Sequence, residues 1–201
     1  PSMVVRPSNH LIMSTHLIEI LEWRVAPATL FVGKVSNFTI TDDVTPPGLS
    51  DGDTVTFVPD PGTVHSGVTN LIFGARAFDS IVTAITAAAN GDVIRVSTGT
   101  FGGFQPLKQL TFLGAQAGER PDETSRNNPG LESIIDAASG GVNIAASFVV
   151  FDGFSFTTGS TDLTALRMQF SGNHVVNNIF TGGLGVHLLN SGSPDARLEH
   201  N

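Results

Sequence analysis

Hydrophobic and polar positions change their spacing partway along this chain. Phe78, Ile81, Ile85 and Ala88 fall at i, i+3, i+7 and i+10, one face of a 3.6-residue repeat, and predict a short helix. Asp79 or Ser80 supplies a side-chain oxygen for its first free N–H groups, and Asn90-Gly91 ends it. From Val93 the period becomes two. Val93, Ile94 and Val96 cannot all face one way, so one face of this strand is apolar and the other partly so. Gly99-Thr100-Phe101 reads as a turn, and Leu110, Phe112 and the closing Gly114 as the next strand.

Beyond residue 150 the pattern repeats. Phe151 to Phe156 lies over Val175 to Phe180 at an offset of 24, with turn-formers Gly153 and Asn177 in the same place and Phe156 on Phe180. Leu166-Arg167-Met168 lies over Val186-His187-Leu188 at an offset of 20, and Leu198 follows Val175 at 23. Phe112-Leu113-Gly114, Ile134-Ile135-Asp136 and Val142-Asn143-Ile144 fill the same roles less regularly. Repeats of this length predict windings that bury their inward residues only against the windings above and below. Phe151, Phe154, Phe156, Leu166, Met168, Val175, Phe180, Val186 and Leu188 are then inward; Asp152, Ser155, Arg167, Gln169 and His187 are outward. Asn178 and Asn201 occupy equivalent corners, either as ordinary turn residues or as rungs of a bonded stack.

The helix-to-strand stretch resembles the start of the right-handed parallel β-helix proteins of the pectin-lyase-like group. Phe78, Ser80, Ile81, Ala84, Ile85, Ala87, Ala88, Gly91, Asp92, Ile94, Val96, Gly99, Thr100, Phe101, Leu110, Thr111 and Gly114 carry the likeness, which extends over residues 68–201. It implies an all-β fold, a right-handed parallel β-helix whose open end is plugged by the helix. It says little about chemistry, because one fold hosts many activities.

Residues 1–67 read as a small β-rich leader. Residues 1–16, a mixture of polar and scattered apolar residues, are expected to be poorly ordered, and Leu17, Ile20 and Leu21 on one side predict a short helix over His16–Trp23 that Pro27 stops. Leu21 to Leu30 also resembles a short signature near the start of large exported bacterial proteins. Short strands follow at 29–32, 37–41 and 54–58, separated by Pro46-Pro47-Gly48 and Ser50-Asp51-Gly52-Asp53. Val68 to Phe73 is the strand that feeds the helix. Asp42, Asp43, Asp51 and Asp53 read as solvated turn residues rather than a Ca²⁺ site, which needs several converging oxygens. The pattern stops in mid-winding, which reads as a piece of a longer protein.

Composition narrows the function. The net charge of -8 disfavours a nucleic-acid binder, which needs a basic face. With no Cys, thiolate chemistry and disulfides are excluded, and no apolar run reaches membrane-spanning length. The weak catalytic candidates are Asp136, Asp152 and Arg167, since resembling esterases use one Asp as nucleophile and another as acid/base. Lys108 and Arg167 are lone cations far apart in sequence. His174, His187 and His200 recur at equal steps, but a winding of 20 to 24 puts the first two on different walls, so they read as surface His rather than a metal set. Asp122 to Asn128 is a polar loop. No cofactor is expected. The expected partners are a polysaccharide or cell-surface glycan, with self-association through an open end. The reading is a secreted or cell-surface module, non-enzymatic, carbohydrate-binding or adhesive; the alternative is a fragment of a polysaccharide lyase or pectinesterase-like enzyme.

Overall fold

The computed structural model describes residues 26–160, 163–188 and 195–201. The expected helix at His16–Trp23 and the first half of the Leu21–Leu30 run lie outside them. In chain order the strands are β1 (Thr29–Val32), β2 (Phe38–Asp42), β3 (Thr54–Phe57), β4 (Val68–Ile72) and β5 (Ala77–Phe78). Helix α1 (Ile81–Ala87) follows, then β6 (Val93–Val96), β7 (Gly99–Gly102), β8 (Thr111–Leu113), β9 (Ser133–Asp136), β10 (Val142–Ile144) and β11 (Val150–Asp152). The last are β12 (Phe154–Thr157), β13 (Thr164–Met168), β14 (His174–Val176), β15 (Ile179–Thr181), β16 (Leu184–Leu188) and β17 (Arg197–Glu199).

The described chain is mostly β, and three of its four sheets are parallel. The first parallel sheet runs β17-β14-β11-β8-β6-β1-β5, the second β15-β12-β9-β7 and the third β10-β13-β16. From β6 onward the chain visits them in a fixed order. It passes β8, β9, β10, then β11, β12, β13, then β14, β15, β16, before β17 rejoins the first sheet. In the earliest round, Phe104 bridges Val142 in place of a strand of the third sheet.

The registers match the repeat. Phe112, Phe151, Val175 and Leu198 are paired in succession, as are Ile135, Phe156 and Phe180, and Val142, Leu166 and Val186. Phe112 and Phe151 stack at 4.6 Å and Phe156 and Phe180 at 4.9 Å, each with planes 7° apart. Those spacings are the distance between neighbouring strands. Phe112 stands farther from Phe151 in sequence than Phe151 does from Val175, because the loop from Gly114 to Glu132 is inserted between β8 and β9, whereas β11 and β12 are separated by Gly153 alone. At the latter corner Gly153 and Asn177 both take positive φ, 78° and 54°. Asn178 and Asn201 form rungs: Asn201 Oδ1 accepts from Asn178 N at 2.9 Å and from Asn178 Nδ2 at 3.2 Å, while Asn178 Oδ1 accepts from Phe154 N at 3.0 Å.

Two inward or outward assignments change. Leu188 is 48% exposed because β16 is the edge of its sheet and nothing described lies on its far side. Ser155 is buried, its hydroxyl donating to Glu132 Oε2 at 3.0 Å beneath the inserted loop.

β1 joins two cores. Leu30 and Val32 belong to the main cluster with Ile94, Phe112, Phe151 and Phe156, while Phe31 faces a second cluster of Phe38, Val55, Phe57, Leu71 and Phe73. Burial on both faces explains why residues 30–32 are an unbroken apolar run. The strand at 29–32 thus sits between β5 and β6 of the main sheet, not in a separate leader. Conversely Val68–Ile72 pairs antiparallel with β3 and completes the small β2-β3-β4 sheet.

Helix α1 begins at Ser80, whose hydroxyl accepts from Val82 N at 3.2 Å, and buries Ile81, Ala84 and Ile85 in the main core. It ends at Ala87, before Asn90. Its free carbonyls are held by Lys108, whose Nζ donates to Ile85, Thr86 and Ala88 O at 2.9, 3.0 and 2.6 Å. Asp92 accepts from Ala28 N at 2.7 Å and Ala89 N at 2.8 Å, tying the start of β1 to the end of the helix.

The inserted loop is clasped from within. Arg126 Nε and Nη2 donate to the two Glu132 oxygens at 2.7 and 2.9 Å, with both side chains almost wholly buried. The remaining guanidinium donors reach Glu119 O, Asn177 O and Phe154 O at 2.8, 2.7 and 3.3 Å. Removing one partner strands a charge, so Arg126→Met is expected to cost about 3–5 kcal/mol of stability in urea unfolding. The parallel register has its own check, since the chain has no Cys. Thr157 and Thr181 are paired, so Thr157→Cys with Thr181→Cys is expected to form a disulfide under mild oxidation. Thr157→Cys with Ile179→Cys, two places out of register, is not.

Candidate functional site

The three catalytic candidates are not brought together: Asp152 lies in the first parallel sheet, Asp136 in the second and Arg167 in the third. Asp152 Oδ1 accepts from Gly118 N and Asn177 Nδ2, both at 2.9 Å, and so holds a corner. Asp136 Oδ1 accepts from Ala138 N at 2.9 Å, capping the 3-10 turn Ala137–Ser139. Arg167 is exposed in a row with Asn143 and His187.

The histidines separate as well. His174 is in the first sheet and His187 in the third. His174 Nε2 is 3.4 Å from Glu199 Oε2 without a hydrogen bond, and His200 Nε2 is 2.7 Å from Arg120 Nη2. Among the described residues no three His, Asp or Glu side chains are grouped as a metal ion would need. Asp53, read from sequence as a solvated turn residue, is instead buried. Its carboxylate accepts from Val44 N at 2.8 Å and from Ser50 N and Oγ at 2.7 and 3.1 Å. The Val44 N–H does most to hold its pKa below the usual 3.8, with burial working the other way.

A groove of about 430 Å³ runs along the outer face of the first parallel sheet. Its floor is the paired row Thr111, Val150, His174 and Arg197, from β8, β11, β14 and β17. Two residues before the last three stand Phe148, Gly172 and Asp195, all in left-handed backbone with φ of 58°, 70° and 68°. Gln109 completes the wall. The ring of Phe148 lies across Gly172, where a Cβ would overlap it, and Phe148 is 59% exposed. A bulky residue at positive φ is strained, and such strain gathers at binding sites. Chemically the groove offers one aromatic face beside hydroxyl, amide, imidazole, guanidinium and carboxylate groups. Phe148 escaped the sequence reading because it precedes the inward Phe151 by three residues and looks like one more core aromatic. Its neighbours Ser147 and Val149, which fit a strand, hide the left-handed kink.

A second polar region fixes the small sheet to the main body. His65, between β3 and β4, is buried with Nε2 at 3.2 Å from Val96 O. Thr98 Oγ1 donates to Asp60 Oδ2 nearby. Burial, and then the positive charge of Arg95, push the His65 pKa below its ordinary 6.5. Between that folded value and 6.5 the unfolded chain binds the extra proton, so stability is complete above 6.5 and falls as pH drops toward the folded value. The urea midpoint is therefore expected to decrease between pH 7.5 and 5.5, and His65→Gln to flatten that decrease.

Comparison of the chain with family models, with curated proteins and with solved structures gives no match in any of the three.

Proposed function

We propose that this chain is a non-enzymatic, carbohydrate-binding or adhesive module of a secreted or cell-surface protein, and that its three parallel sheets are the walls of a right-handed parallel β-helix. The fixed order of sheet visits and the stacked inward columns favour that architecture, as does the general right-handedness of crossovers between parallel strands. In this reading α1 plugs one end, as in the pectin-lyase-like proteins that residues 78–114 resemble.

The observation that carries the function is the exposed Phe148 ring lying against Gly172 beside the row Thr111, His174 and Arg197. An aromatic face packs against the C–H side of a sugar ring, and flanking polar groups fix its hydroxyls. A long open groove suits an extended glycan rather than a compact ligand. The separation of Asp136, Asp152 and Arg167 among three sheets gives the lyase or esterase alternative no comparable support.

A glycan array followed by calorimetric titration of the best binder tests this. Phe148→Ala is expected to weaken binding at least about tenfold, roughly 1.4 kcal/mol. Gly172→Ala, which displaces the ring, is expected to weaken it in the same direction. An array with no binder, or a Phe148→Ala protein that binds as well as the native one, overturns the reading. Among the described residues no helix is long and apolar enough to cross a membrane.

A further inference from the structure

The groove on the first parallel sheet has a direction. Its floor residues Thr111, Val150, His174 and Arg197 are register partners on successive strands, so the row runs across the strands, the way they stack. Register partners stand one strand spacing apart, as the 4.6 Å and 4.9 Å separations of the paired rings measure. From Thr111 to Arg197 the row is therefore about 14 Å long, three steps of roughly 4.8 Å. The wall keeps the same step, because Gln109, Phe148, Gly172 and Asp195 each stand two residues before a floor residue. The Phe148 ring lies against Gly172, so one aromatic side chain fills two neighbouring steps.

A polymer that uses the whole row needs a repeat close to one strand spacing and a straight path. The rise of one pyranose in an extended, equatorially linked chain is close to that spacing, and such a chain is a flat ribbon. An axially linked glucan coils and leaves a straight row after one or two sugars. Charge selects further. Arg197 is the one guanidinium in the lining and Asp195 the one carboxylate, and Glu199 stands 3.4 Å from His174 beside the floor. The groove thus has no excess of cations, and the net charge of -8 on the whole chain repels a polyanion. The neutral amide of Gln109 and hydroxyl of Thr111 suit sugar hydroxyls. We infer that the ligand of this groove is a neutral, extended glycan of equatorially linked pyranoses, laid across the strands with one sugar to each strand. This rests on the glycan reading and adds linkage, charge and direction to it.

Calorimetric titration of the native chain with soluble oligosaccharides tests this. Cellotetraose, xylotetraose and chitotetraose are the neutral, equatorially linked probes; maltotetraose is the coiling probe and tetragalacturonate the acidic one. At least one of the first three is expected to bind about tenfold more tightly than either of the last two, and than its own disaccharide. Direction is read from wall residues on either side of Phe148. Gln109→Ala and Asp195→Gly are each expected to weaken the bound tetrasaccharide about threefold, and a chain lying along the strands cannot meet both. Both side chains are exposed, and Gly keeps the positive φ of Asp195 without strain. Equal binding of maltotetraose or tetragalacturonate, no gain from disaccharide to tetrasaccharide, or a loss in only one of the two variants overturns the inference and leaves the glycan reading standing. An array that finds a binder while none of the three neutral probes binds does the same. An array with no binder overturns both.

Discussion

Strand spacing is the constraint on which the rest of this molecule depends. Once parallel strands are hydrogen-bonded in register, each inward side chain lies directly over the one in the next strand. A core built that way cannot choose its partners freely. Phe112 must accept Phe151, and Phe156 must accept Phe180, at strand distance and almost face to face. The rings are nearly parallel with centroids 4.6 and 4.9 Å apart, within the spacing that stacked aromatic pairs favour. The backbone ladder sets that spacing. The polar corners obey the same rule. Asn201 repeats the position of Asn178, and its side chain meets backbone and side-chain groups of the round before it. The buried amide of Asn178 is tolerated because it is satisfied along the column.

The remaining elements attach to this frame through buried polar contacts. Glu132 gathers Arg126 and Ser155 under the inserted loop, so that the loop is anchored by an ion pair whose charges never face solvent. Asp92 and Lys108 both fasten the C-terminal end of α1. Asn37 links the small sheet to the large one, accepting from Ser97 Oγ at 3.0 Å and donating to Val58 O at 3.1 Å. The polar residues that look available for chemistry in the sequence are mostly spent on such attachments. Asp152, Asp136 and Lys108 are of this kind.

The periodic part of the fold was legible because its register repeats. A single constant offset placed Phe151 beside Val175 and Phe156 beside Phe180, as the paired strands have them. What was not legible depends on contacts distant in sequence. Thr29–Val32 reads as a leader strand, and nothing local says that it pairs with Val93–Val96, on the far side of the small sheet and the helix. Arg126 reads as one charge in a polar loop, because its burial is created by Glu132, Phe154 and Asn177 together. The groove was hidden for a related reason. Its floor residues come from four strands, and its most exposed member, Phe148, is conspicuous only through a backbone angle.

The place of β1 has a temporal consequence. Among the described strands of the first parallel sheet it comes first in the chain, yet its neighbours on either side, β5 and β6, emerge from the ribosome only after the whole of the small sheet. Until residue 96 has been made, Leu30 and Val32 have no completed wall to join, and Phe31 waits on the small sheet. The rounds after β8, by contrast, each add to a surface already present and can be laid down in order as they appear. The slow event in acquiring this architecture is therefore its beginning: insertion of a central strand between two later ones, after which growth is sequential.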